Sequence, residues 1–176
     1  MTPRLRRFAL TAHVTSSVGW LGAVAGFLAL AIAGLTRQEA QMVSAAYLAM
    51  ELTAWSVIVP LSFASLLTGL VQSLGTPWGL FRHYWVLLKL LITILATIFL
   101  LLHMQPITYL SGVAAAGAPF RADLRGLRIQ LVADAGAALL ALLVATTLAV
   151  YKPRGMIRYG RRKQQEQRTA SSHRRP

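Results

Sequence analysis

Few side chains in this 176-residue chain can do chemistry, and most of them sit inside apolar runs. Residues 85–104 read WVLLKLLITILATIFLLLHM, with Lys89 near one end and His103 at the other. His13 lies early in a first apolar run, and His83 stands beside Arg82 in a polar connection. Glu51 and Asp134 are acids within otherwise greasy segments. There is no cysteine, which excludes disulfides, thiolate metal sites and covalent haem attachment through C-x-x-C-H. No G-x-S-x-G, H-E-x-x-H or phosphate-cradling motif is present.

Two chemistries suit that inventory. The first is haem b, which needs an apolar slot, an axial imidazole and cations for its propionates. His13 is the first-choice ligand, and His83 and His103 are candidate second or separate ligands. Lys89 and Arg82, with Arg4, Arg6 and Arg7, would meet the propionates. Trp20, Trp85 and Phe27 could wall the macrocycle. The second is a mixed nitrogen–oxygen metal site from Glu51, His103 and Asp134, of the kind that suits zinc or copper. Each residue also has a plainer reading. Lys89 could snorkel to the interface, His103 could cap carbonyls at its helix end, and Glu51 and Asp134 could tie to outer-side arginines such as Arg128.

The elements that must position these groups are helices. The chain is 56% apolar and 13% charged. Four runs, about 8–35, 45–74, 84–104 and 127–151, are each long enough to cross ~30 Å of hydrocarbon at about 1.5 Å per residue. Backbone groups find no water in lipid, so each run must be helical. The expected fold is all-α: an integral membrane four-helix bundle over 1–151, with a basic disordered tail over 152–176. The first run exceeds a cleaved leader in length and holds His13, Thr15, Ser16 and Ser17 early, so it is expected to remain a helix.

Formal charge is +13, and nine of the eighteen Lys and Arg fall in 152–176. That placement fits a cytoplasmic flank on anionic lipid rather than a nucleic-acid surface. With Arg4, Arg6, Arg7 and Arg82 on the same side, both termini are expected in the cytoplasm of a bacterial-type plasma membrane.

Within the runs, Gly22 and Gly26 form G-x-x-x-G, a spacing that lets helices approach. His13, Ser17, Trp20, Val24 and Phe27 share a face. Glu51, Trp55, Ile58, Ser62, Ser65, Gly69 and Gln72 form a stripe on the second run, with a kink expected at Pro60. Residues 105–126 are expected to lie over the outer mouth as a lid or a short interfacial helix. Lys89 and His103 are roughly 21 Å apart along their axis, giving two polar levels. Aligning the midpoints of the four runs puts His13 and Lys89 in the inner half and Glu51, His103 and Asp134 in the outer half. His13 and His103 are therefore not expected to ligate one haem; a second haem would have to sit near the outer face.

The order of residues resembles a known family. TAHVTSSVGWLGAVAGF has a histidine followed seven residues later by Trp20, and a Gly/Pro connection leads to W-x-x-x-K-L at Trp85, Lys89 and Leu90. This is similar to HemJ-type protoporphyrinogen oxidases and related CopD-like small membrane proteins, over roughly the first three runs. The resemblance implies His13 as haem ligand, Lys89 as a functional lysine, and oxidation of a porphyrinogen substrate. Where that family has an arginine one turn beyond the histidine, Ser16 and Ser17 stand here. The expected function is therefore a membrane haem b protein in electron transfer or haem-dependent oxidation, with a redox partner or porphyrin substrate and a homodimer in prospect. The alternative is a non-catalytic subunit for copper or ion transport or for complex assembly.

Overall fold

The structure is a computed structural model that describes residues 2–75, 84–120 and 122–151. Arg82, His83 and the basic tail lie outside the described residues. The described chain is all-helical, and four of its helical spans are long and apolar enough to cross a membrane: Pro3–Thr36, Ala40–Leu74, Tyr84–Ala115 and Arg125–Tyr151.

The first span is one helix, α1, Pro3–Thr36. It starts five residues earlier than its apolar run because Thr2 and Pro3 make a start signal. The Thr2 hydroxyl accepts from the Leu5 amide at 3.4 Å, and Pro3 occupies the first turn, where no N–H is needed. Its buried residues are Ala9, His13, Ser16, Trp20, Val24, Phe27, Ala31 and Gly34. Steps of three and four give one continuous seam, and α1 is the central helix of the bundle.

The second span comprises α2, Ala40–Thr53, then a π-helical turn, Ala54–Ile58, then α3, Val59–Gly75. Pro60 has no N–H for the Ser56 carbonyl, and the π turn lies immediately before it. A π turn inserts one residue, which rotates the helix on its N-terminal side by about 100° relative to the helix on its C-terminal side. The expected stripe is therefore broken. Ser62 and Ser65 are buried, but Trp55 is 52% exposed and Glu51 is half-buried.

The third span bends at His103, whose φ of −91° and ψ of 4° interrupt the helix. It divides into α4, Tyr84–Leu102, and α5, Met104–Ala115. The first half of the segment expected as a lid or a short interfacial helix is thus a helix packed along α2. Met104, Ile107, Leu110, Ser111 and Ala114 recur at helical spacing and are all buried. Gly117, at φ 64°, ends α5; its amide and that of Ala118 bond the Ala114 and Val113 carbonyls. The last span is α6, Arg125–Tyr151.

The outside of the bundle is apolar. Leu91, Leu95 and Ile98 run along α4 at 50–56% exposure. Only 11% of the most apolar window of the third span is buried. In water such a surface would aggregate; in lipid it is a matched solvent. The protein is therefore read as a multi-pass membrane protein. Gly22 and Gly26 do not pack helices within the chain: both face outward, with nothing within 4 Å of an added Cβ. Close approach occurs at Gly34 instead, where a Cβ would meet Tyr47 at 2.9 Å.

Candidate functional site

His13 is held between three helices at the end of the bundle where α1 begins and α6 ends. It is 9% exposed. Its Nδ1 lies 3.1 Å from the Ser65 carbonyl oxygen and 3.1 Å from Thr68 Oγ1, both on α3. A carbonyl can only accept. The Thr68 hydroxyl gives its own proton to the Ala64 carbonyl at 2.5 Å, so towards His13 it also accepts. Nδ1 therefore carries the proton and Nε2 is the lone pair. That lone pair faces Lys89 Nζ on α4 at 3.3 Å.

The surroundings explain why the ring fits there. Gly69 stands directly against it: an added Cβ would be 3.0 Å from His13 Cε1. Ser17 and Ser65 join hydroxyls at 2.7 Å, and the Gln72 amide donates to the Ala9 carbonyl at 2.8 Å, stitching α1 to α3 on either side of the imidazole. Ser16 is spent on its own helix, bonding the Ala12 and His13 carbonyls. Lys89, half-buried, reaches an imidazole rather than extending to an interface.

A second polar contact lies where α4 breaks. His103 Nε2 is 3.1 Å from Asp134 Oδ2 on α6, and each side chain is 21% exposed. His103 Nδ1 donates to the Phe99 carbonyl at 2.8 Å, so this imidazole does serve a carbonyl at its helix end. Asp134 Oδ2 is buried and has no aligned hydrogen-bond donor among the described residues; His103 Nε2 is its close polar neighbour. The pair borders a cavity of about 50 Å³ whose other walls are almost wholly apolar, Trp20, Phe27 and Phe99 among them.

The expected metal set does not assemble. Among the described residues no three His, Asp or Glu side chains gather closely enough to hold an ion. Glu51 has no hydrogen-bond or ion-pair partner among the described residues. The expected ties of Glu51 and Asp134 to Arg128 are also replaced. Arg128 Nε donates to the Tyr47 hydroxyl at 3.0 Å, another of its nitrogens donates to the Gly34 carbonyl, and its guanidinium lies over the Tyr47 and Phe120 rings. The clamp ties the start of α6 to the end of α1 and to α2.

His13 and Lys89 are thus brought together, and His103 and Asp134 form a separate pair. Trp20 lines the cavity, two turns along α1 from His13. Trp85 is buried one turn before Lys89. Arg82 and His83 lie outside the described residues. The partners that sequence reasoning did not single out as site residues are Ser65, Thr68 and Gly69. S-L-L-T-G places two hydroxyls and a glycine within one apolar run, at the level His13 reaches once the first two spans fold back on each other.

Does this site suit haem? An imidazole whose Nδ1–H is fixed on a backbone carbonyl, leaving Nε2 free to ligate, is the usual form of a metal-bound histidine. The ligand atom suits iron. The space beside the second pair does not suit a porphyrin: about 50 Å³ compares with roughly 300 Å³ or more for pockets that hold drug-sized ligands. A haem on His13 would therefore lie elsewhere than in that cavity, with Lys89 moved off Nε2.

Comparison with family models, with curated proteins and with solved structures found no match. What fold and site define is a class: an all-helical, four-span membrane protein with an imidazole–ammonium pair enclosed between its first three spans. Within that class the chain is marked by a second imidazole, set at a helix break against a carboxylate.

Proposed function

We propose that this is a haem b protein of a bacterial-type plasma membrane, acting in electron transfer or haem-dependent oxidation. His13 is the axial ligand through Nε2. Lys89 is the cation that meets a propionate or steers an anionic porphyrin. One observation carries this reading: Nδ1 of His13 is pinned by two acceptors, so Nε2 is presented as a ligand beside a cation on a flexible stem. Bound haem would supply one-electron chemistry; the chain's own residues hold the imidazole in its tautomer and place the positive charge. Both termini are assigned to the cytoplasm, since Arg4, Arg6 and Arg7 lie at the end of the bundle where α6 also ends, and the sequence after 151 is rich in basic residues that suit anionic lipid.

The test is an absorption spectrum of detergent-purified protein expressed with ample haem. A Soret band that His13→Ala abolishes is expected. Colourless wild-type protein under those conditions overturns the reading.

A second reading, a non-catalytic subunit for ion passage, is favoured by a different observation. Both described imidazoles turn Nε2 towards a titratable group, at two depths of the bundle. Colourless protein that carries protons or cations across vesicles would select it.

A further inference from the structure

We propose that His103 and Asp134 form a proton-binding site inside the membrane, holding one shared proton at the joint between α4 and α5. The inference does not depend on haem.

The hydrogen-bond inventory carries it. The Phe99 carbonyl, 2.8 Å from His103 Nδ1, accepts only, so the Nδ1 proton is assigned. In a neutral imidazole with that tautomer Nε2 is a bare lone pair. It lies 3.1 Å from Asp134 Oδ2, another acceptor. Two acceptors this close in apolar surroundings repel; one more proton, on the ring or on the carboxyl, turns the contact into an attraction. That oxygen is buried and has no other donor among the described residues to neutralise it.

Other charged groups do not substitute for the proton. The walls of the adjoining cavity come from α1 (Trp20, Val24, Phe27), the π turn (Ile58), α4 (Ala96, Phe99, Leu100), α5 (Ile107) and α6 (Leu131, Ala135, Ala138, Leu142). None of these is titratable. Arg128, two turns before Asp134, is committed to Tyr47 and Gly34. Lys89, roughly 21 Å along the third span, faces His13. The cavity of about 50 Å³ has room for a water beside the pair, by which a proton can leave.

The chemistry balances simply. The loaded pair is imidazolium with carboxylate, or imidazole with carboxylic acid. Release of H⁺ leaves imidazole facing carboxylate. Because His103 is the non-helical residue at which the third span bends, loss of the proton removes the tie between that bend and α6.

The experiment uses the full chain in lipid nanodiscs, with ring-¹⁵N histidine and infrared detection of carboxyl groups. Near neutral pH the wild type should show either His103 with both ring nitrogens protonated, or a protonated-carboxyl band from Asp134. Asp134→Asn keeps the shape and gives Nε2 an amide donor, so it should bind one proton fewer per chain and leave His103 a neutral, accepting imidazole. His103→Gln assigns the resonance. Wild-type spectra with an unprotonated Nε2 and no protonated carboxyl overturn the proposal, and they decide it even where a variant fails to fold.

Discussion

Gly69→Ala probes the imidazole site through one added methyl. The new Cβ would lie 3.0 Å from His13 Cε1 and 3.4 Å from Nδ1. The ring must move by a few tenths of an ångström, but it is held on Nδ1 by Ser65 and Thr68 and on Nε2 by Lys89. Overpacking of this kind costs about 1–3 kcal/mol. Replacing glycine by alanine within a helix returns about 1 kcal/mol, so the sign depends on how rigidly the ring is held. Gly22→Ala measures the helix gain alone, since nothing lies within 4 Å of its Cβ. Thermal unfolding in detergent should therefore place Gly69→Ala about 1–3 kcal/mol below Gly22→Ala. If the same displacement is felt at the ligand, haem affinity should fall by roughly 5- to 140-fold, at about 1.4 kcal/mol per tenfold. Equal stability of the two variants would refute the close-packed account of His13. A stability loss with an unchanged Soret band would keep the packing but remove His13 as ligand.

The other expectations concern single contacts. Lys89→Met removes a half-buried ammonium and keeps the stem volume, so stability should change by about 1 kcal/mol or less; in the haem reading the Soret band persists while turnover is lost, and a vanished band would show that haem retention itself depends on Lys89. Thr68→Val removes one of two acceptors for Nδ1 and should cost about 1 kcal/mol by thermal unfolding, because the Ser65 carbonyl remains. Arg128→Met should cost about 2–4 kcal/mol by losing its charged hydrogen bonds and its ring contacts. Arg128→Lys should recover only part of that loss, since a point charge cannot copy the planar fork.

Glu51 shows how a local irregularity redirects function. In a continuous α-helix it would share the stripe of Ser62, Ser65, Gly69 and Gln72. The π turn before Pro60 rotates it away, and with it goes the nitrogen–oxygen metal set that the linear pattern suggested. His13, by contrast, keeps its place because α1 is unbroken and its seam repeats in steps of three and four.

The sequence by itself determined the four helical spans and the apolar exterior, because backbone groups in hydrocarbon must bond within their own segment. It also determined that His13 and Lys89 belong to one polar level and His103 to another, since rise per residue converts spacing into depth. Depth along a helix is a local quantity; which side chain faces which is not. Rotation of each helix about its axis, the bend at His103 and the route of α5 along α2 are set by packing between segments distant in the chain. Only tertiary structure could therefore decide that Nε2 of His13 meets Lys89, that Asp134 meets His103 rather than Arg128, and that Gly69 makes the room.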